Sequence, residues 1–393
     1  MKQKQANLNI DELKDFMRHM VTNNRYLQEN GKLPVATEII GDSGIGKTSA
    51  MLQLGKELDL ELAKINLAQI EELGDLVGFP IRQFEIVHEG EGKTIWADEN
   101  SVQEFIKLDY KFTGNNRMGY CPPEWIASAT KGGILLIDDW TRADPRFIQA
   151  IMELIDRQTY ISWTLPKDWH IILTANPDNG DYNVNSVDNA QKTRYASINL
   201  MFDIKCWARW AESEGIDSRC INFLLLHPEL VNKDENPRSV TTFFNSISSI
   251  KNFEDSLPII QLIGEGTVGV EFSSLFTLFI NNKLDKLIHP EDILFSENES
   301  NVVTRLSNSI GKERQYRADI ASTISTRIVN YAVTYADKNP VKDSLVKRVE
   351  KLITEDLFTN DLKYSIVKNM FNGNKQKFRA LTMNKELIKY VTA

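Results

Sequence analysis

A chain of 393 residues exceeds one ordinary hydrophobic core, so two or three domains are expected. Hydrophobic residues make up 42% and charged residues 25%, a globular rather than a disordered composition, and the net charge of −8 disfavours broad binding to a phosphate backbone. Three widely spaced cysteines (Cys121, Cys206, Cys220) without a paired CxxC, and five scattered histidines, exclude a disulfide framework or a zinc site and point to reduced thiols in a cytosolic protein.

The first residues lack the apolar centre of a secretory signal, and no stretch reaches roughly 18 apolar residues, so no membrane association is expected. Leu13, Phe16, Met17, Met20 and Val21 recur on one face and predict a helix over Asp11 to Tyr26, stopped at Asn30-Gly31. Pro34 to Ile40 reads as a strand running into Gly41-Asp42-Ser43-Gly44-Ile45-Gly46-Lys47-Thr48, and Ser49 to Leu58 as the helix that follows. A short strand is expected over Glu61 to Asn66. Alternation at Arg82 to Val87, a Gly-rich turn and Thr94 to Ala97 predict a β-hairpin, with Thr113 to Gly119 as a mobile loop.

Pro122-Pro123-Glu124 opens a short helix, and Ile134 to Ile137 is a continuous apolar run of the kind found in strands buried on both faces, ending in Asp138-Asp139. Pro145 to Arg157 is amphipathic. Tyr160 to Trp163 and Trp169 to Leu173 read as a second hairpin turning at Leu165 to Asp168, with its second strand delivering Thr174-Ala175-Asn176-Pro177. One more strand is expected over Ala196 to Phe202. Beyond residue 204 the pattern is helical throughout, including an apolar helix over Phe272 to Ile280. The expected domains are an N-terminal helical segment (1–32), an α/β core (33–204) with two hairpin insertions (82–97 and 160–173), a helical lid (205–285) and a helical C-terminal extension (286–393).

Gly41 to Thr48 fits GxxxxGK[ST] in the required strand–loop–helix setting. Glycines let the backbone wrap closely, so successive N–H groups and the positive end of the new helix face a phosphate. Lys47 would reach the β- and γ-phosphates, the Thr48 hydroxyl would ligate Mg²⁺, and Ser49 closes the nucleotide-contacting set. A magnesium ion bridging two phosphates also needs a carboxylate, supplied by Asp138, and Asp139 would polarise the attacking water as general base. The Asn176 amide would orient that water. Arg194 and Arg238, each at the start of a predicted element, could neutralise charge building on the transferred phosphoryl group.

In this order the motifs resemble an AAA+ ATPase, and more narrowly the MoxR group with its CbbQ/NorQ-type relatives. The matching residues run from Gly41–Thr48 (Walker A) through Asp75-Leu76-Val77-Gly78 and Gly133–Ala143 (Walker B and its continuation). They continue through Ala150–Gln158 and Leu173–Pro177 (sensor 1) to Asn236-Pro237-Arg238-Ser239 (sensor 2). The resemblance covers about residues 33–250 and implies an α/β P-loop core with a parallel sheet, an α-helical lid, ATP and Mg²⁺ as cofactors, and a hexameric ring of identical subunits. It further implies that Arg194 is the arginine finger reaching a neighbour's site, and that Arg238 contacts the γ-phosphate from the lid. The hairpins would face the pore or substrate, and the partner would be a protein that the ring remodels, often one bearing a von Willebrand A domain. The second Walker B acid, usually Glu, is here Asp139, which is one methylene shorter. This departure raises the alternative of a slow, ATP-dependent switching ring. A nucleic-acid motor or loader is the other alternative, opposed by the acidity of the chain and of the first hairpin.

Overall fold

The computed structural model describes residues 6–88, 90–160, 163–232, 234–281 and 287–383. The chain divides into two compact units, Met1–Met201 and Phe202–Ala393.

The first unit is built on a six-stranded, all-parallel sheet. In chain order its strands are β1 (Asn7–Leu8), β2 (Ala36–Ile40), β3 (Glu61–Asn66), β7 (Gly133–Asp138), β10 (Trp169–Ala175) and β11 (Tyr195–Leu200). Across the sheet they lie in the order β1-β11-β2-β10-β7-β3. Helices α1 (Ile10–Glu29) and α2 (Lys47–Glu57) pack together, α2 lying on β3 and β7. Helix α6 (Pro145–Arg157) buries Phe147, Ile148, Ile151 and Ile155 with Leu135 and Ile137 of β7. Strands β7 and β10 are therefore buried along their whole length, which is why they read as unbroken apolar runs. The N-terminal segment belongs to this unit: Asn9 caps α1 in a capping box with Glu12, and β1 adds an edge strand by pairing Asn7 with Asn199.

Between β3 and β7 the chain inserts a second sheet. Helix α3 (Leu73–Val77) leads into β4 (Phe79–His88), which pairs antiparallel with β5 (Thr94–Asp98) on one side and β6 (Tyr110–Cys121) on the other. Helix α4 (Glu99–Ile106) joins β5 to β6, and α5 (Glu124–Ala127) follows. The first hairpin is thus present, with Glu89 of its turn outside the described residues. The loop expected over Thr113 to Gly119 is instead the middle of a twelve-residue strand. Its polar side chains are exposed and held from the side: Arg117 Nε donates to Gln83 Oε1 at 2.9 Å while its guanidinium lies over the Trp96 ring, and Glu85 accepts from Thr113 and Asn115.

The second expected hairpin is also corrected. A two-residue pairing joins β8 (Thr159–Tyr160) to β9 (Trp163–Thr164), with residues 161–162 outside the described set. Trp169–Ala175 is no partner of it; that segment is β10, parallel to β2 and β7 in the central sheet. Every residue of β10 is buried, and a strand buried on both faces gains more in the middle of a sheet than in an exposed hairpin.

Helix α7 (Asn189–Lys192) precedes β11, and the second unit is helical in all its described elements: α8 (Ile204–Ser213), α9 (Ser218–Leu226), α10 (Pro237–Ser246), α11 (Leu257–Asn281), α12 (Pro290–Phe295), α13 (Glu299–Ile310), α14 (Ala318–Lys338), α15 (Asp343–Thr354), α16 (Asn360–Gly373) and α17 (Arg379–Met383). One core gathers Phe223, Phe243, Phe244, Phe272, Phe276 and Phe279; another gathers around α14. The boundary expected at 285/286 falls outside the described residues. Arg327 of α14, buried, donates to Glu212 of α8 and Asn222 of α9 and so ties the two cores together.

Glu254–Asn281 is apolar and long enough to match a bilayer by length and composition. Gly269, at φ 80° and ψ 171°, breaks its α11 portion, Leu257–Asn281, into two halves of about 18 Å each, short of a ~30 Å hydrocarbon layer. The halves fold onto each other, with Ser273 Oγ donating to the Gln261 carbonyl and a Cβ at Gly264 meeting Ser273 at 2.6 Å. One face of this pair, with Ile260, Phe272, Phe276 and Phe279, is buried in the helical core, while Leu262, Val270 and Leu278 are exposed.

Candidate functional site

The P-loop follows β2, an interior strand, and opens α2. Gly41 has room for nothing larger than hydrogen: a Cβ there would lie 2.6 Å from Ile45 Cδ1 and 2.8 Å from the Leu200 carbonyl. Gly44 and Gly46 take φ of 77° and 98°, left-handed values that cost L side chains free energy, and Gly46 caps α2 without a side-chain hydrogen bond. The first amides of α2 are thereby left directed into the loop.

Lys47, only 7% exposed, turns back over this loop. Its ammonium donates to the Gly41 carbonyl at 2.6 Å, to the Asp42 carbonyl at 2.9 Å and to Asn176 Oδ1 at 3.1 Å. Asn176 stands just past the end of β10 and donates from Nδ2 to Asp139 Oδ1 at 3.4 Å, a long contact. Asp139 itself is left-handed, at φ 51° and ψ 34°, a conformation in which Asp is favoured over longer side chains.

Asp138 is the last residue of β7. Its Oδ1 accepts from the Thr48 hydroxyl at 2.9 Å and from the Thr174 hydroxyl, and its Oδ2 pairs with Lys64 Nζ at 3.0 Å. Burial raises the pKa of this carboxyl, but the hydrogen bonds from Thr174, Lys64 and Thr48 together outweigh it, so Asp138 is held below the usual carboxylate value. Among the described residues no cluster of three or more His, Cys, Asp or Glu side chains could hold a metal unaided. A hydroxyl and an ionised carboxylate 2.9 Å apart are hard oxygen donors of the kind Mg²⁺ takes when phosphates and water complete its shell. The donor set fits magnesium.

The structure therefore brings Gly41–Thr48, Asp138, Asp139 and Asn176 together at the carboxyl ends of three adjacent strands, β2, β10 and β7. Ser49 lies in the first turn of α2. A P-loop after an interior strand, with acids and an amide at the tips of its neighbours and the order β11-β2-β10-β7-β3, decides the fold. It is the parallel α/β fold of a P-loop NTPase.

In this fold Arg194 stands elsewhere. It is exposed in the turn before β11, and β11 runs parallel to β2 with Tyr195 opposite Ala36, the first residue of β2. At ~3.3 Å per residue that places Arg194 about 15–20 Å along the sheet from the P-loop of its own chain. Arg238, also exposed, lies in the first turn of α10 in the second unit, where Asn236 caps the helix.

Three site residues were missed by sequence reasoning. Thr174 bridges Asp138 and the backbone of Asp139, whose N–H it accepts at 3.2 Å; it lies two residues before Asn176 and so shares its face, a signal the strand pattern carried. Lys64 reaches Asp138 only through the pairing register of β3 and β7. Tyr182, in the loop after β10, accepts from the Ser43 N–H at 3.2 Å and donates to Asp42 Oδ1 at 3.3 Å. Nothing in the spacing of that loop announced it.

No family model matches the sequence, and no curated protein matches it. Among solved structures, the chain is similar to NtrX from Brucella abortus in complex with ADP, at 12% identity and a TM-score of 0.35, covering 86% of this chain and 68% of that one. It is also similar to a K64R mutant of Thermotoga maritima RuvB (11% identity, TM-score 0.36, 78% and 85% covered) and to Hsp104 in a complex with ATPγS and casein (14%, 0.36, 63% and 46%). Likenesses this remote assign no function.

Proposed function

We propose that this chain binds and hydrolyses Mg-ATP. One observation carries the reading: Lys47, Thr48, Asp138, Asp139 and Asn176 converge on one glycine-shaped loop, as an amine, a hydroxyl, two acids and an amide. The amides of the loop and Lys47 would hold the phosphates, while Thr48 and Asp138 would hold magnesium, which when bound neutralises charge on the β- and γ-phosphates. Asp139 would take the proton of the attacking water, with Asn176 orienting it. Arg194 cannot serve its own site, and its role as an arginine finger would be played across a subunit interface, which supports a ring of identical subunits. Arg238 would act on the γ-phosphate from the helical unit.

The sequence resemblance supports the finer reading, a MoxR-like AAA+ ring, hexameric, that remodels a partner protein, possible partners including von Willebrand A domain proteins. The same resemblance, over about residues 33–250, supports the core and lid of its domain scheme, and the wide spacing of the three cysteines supports a cytoplasmic site of action. The long 3.4 Å contact between Asn176 and the short Asp139 favours a second reading, slow turnover with the ring serving as an ATP-dependent switch. The deciding experiment measures ATP binding and phosphate release for the wild type beside Lys47→Ala. Wild-type binding that Lys47→Ala abolishes supports the assignment; tight ATP binding by the variant, or none by the wild type, refutes it.

A further inference from the structure

Among the described residues the Asp138 carboxylate has three side-chain partners, and only two of them belong to a phosphate-and-metal site of the kind proposed above. Thr48 and Thr174 occupy its Oδ1, while the third, Lys64, brings a full positive charge to Oδ2 at 3.0 Å. The contact is built into the sheet. β3 is an edge strand, and Lys64 pairs in register with Leu136, so its side chain emerges on the same face as Asp138, two residues further along β7. Lys64 is 43% exposed at its side chain, with a flexible stem that can swing its ammonium into water. The other amine of the site is committed elsewhere: Lys47 is directed at the Gly41 and Asp42 carbonyls and at Asn176.

We infer that Lys64 is a built-in competitor of magnesium for Asp138, and that it sets how much magnesium the nucleotide site requires. The inference rests on the Mg-ATP reading above. A divalent ion held through Asp138 would share that carboxylate with the ammonium, and over roughly 5–7 Å even water-like screening leaves a repulsion worth about tenfold in affinity. Magnesium entry therefore has to displace Lys64 toward solvent or bind against it. Lys64 in this role is a positioning residue, acting on the carboxylate rather than on the nucleotide.

The test is a MgCl₂ titration of the full chain in the presence of N-methylanthraniloyl-ADP, read by fluorescence, for the wild type, Lys64→Met and Lys64→Arg. Lys64→Met keeps the stem and removes the charge. It is expected to lower the magnesium midpoint about tenfold, leave affinity for the analogue in EDTA unchanged, and leave thermal stability nearly unchanged, since the Lys64 end of the pair is 43% exposed and Asp138 keeps its hydrogen bonds from Thr48 and Thr174. Lys64→Arg should titrate like the wild type. A merely structural Lys64 would move stability and leave the midpoint in place. An unchanged or raised midpoint in Lys64→Met, with analogue binding intact, overturns the inference while leaving the nucleotide reading standing. Absence of analogue binding in the wild type at any magnesium concentration overturns both.

Discussion

Lengthening the acid at position 139 by one methylene should speed the proposed hydrolysis. Asp139 takes a left-handed backbone conformation that short polar residues tolerate best, and its Oδ1 meets the Asn176 amide only at 3.4 Å. Asp139→Glu extends the carboxylate by about 1.5 Å toward the space in front of Asn176 and Lys47. A misplacement of about 1 Å in a catalytic group can cost on the order of 10²-fold, so closing that gap should raise kcat about 10- to 100-fold. The same change puts a longer side chain at φ 51°, and the added backbone strain should lower unfolding stability by no more than about 1 kcal/mol. The assay is steady-state phosphate release at saturating Mg-ATP, with ATP affinity measured separately and expected to stay within about threefold, because Lys47 and the loop amides are untouched. A folded Asp139→Glu protein that binds ATP normally but turns over no faster than wild type would refute the idea that the short acid limits the rate.

Arg194→Ala should leave ATP affinity largely intact and cut turnover by roughly 10³-fold or more, as loss of a finger does. Mixing that variant with Asp139→Asn should restore part of the activity by pairing an intact acid with an intact finger, and a mixture as inactive as its parts excludes action across an interface. Gly41→Ala should weaken nucleotide binding and lower the melting temperature, because its methyl would sit 2.8 Å from the Leu200 carbonyl, a backbone atom with little freedom to yield. His170 is buried in β10 with Nε2 lacking a hydrogen-bond partner, and burial first, then Arg25, lowers its pKa from 6.5 to about 4. The unfolded chain protonates below pH 6.5 while the native one resists until about pH 4, so this contribution is intact above 6.5 and lost on acidification; the loss should reach about 2 kcal/mol at pH 5, and urea midpoints that fall equally in wild type and His170→Asn would contradict it.

The core of the site was legible because its elements obey strong local rules. The P-loop is a sequence pattern whose glycines answer a backbone need, and β7 announces itself by four consecutive apolar residues before its acids. Helices α1, α2 and α6 followed from their apolar periodicity to within a few residues. The errors fall where pairing, not propensity, decides structure. β6 reads as a loop because Thr-Gly-Asn-Asn-Arg has neither alternation nor apolar content, and it is a strand only because β4 offers a free edge. Tyr160–Trp163 and Trp169–Leu173 read as two arms of one hairpin because the Pro-containing turn Leu165–Asp168 separates them, yet only β10 is buried along its whole length and so belongs in the central sheet. Lys64 is the sharpest case. As a residue in a mixed strand it says nothing, and its meaning appears once the β3–β7 register brings it to Asp138.

The position of Arg194 has a consequence that reaches beyond the single chain. The P-loop, Asp138, Asp139 and Asn176 all sit at the carboxyl ends of parallel strands, and Arg194 precedes β11 at the amino end. Parallel pairing fixes this opposition: no side-chain rotation in Arg194 spans the length of a strand. The loop after β10 starts at the site and is fastened there twice, by Tyr182 to Ser43 and Asp42, and by Asn185, whose N–H and side-chain amide reach the carbonyls of Thr141 and Ala143 at 2.7 Å. From Asn185 only a short helix, α7, separates the chain from Arg194. The segment that would present a finger to a neighbour is thus anchored on the very loop and strand tip that would hold nucleotide in its own subunit. In a closed ring each site would be completed by a neighbour whose offered arginine hangs from that neighbour's own nucleotide-binding elements. Sequential rather than independent firing is what such an arrangement favours, and the fraction of activity recovered in mixed assemblies measures how tightly the sites are joined.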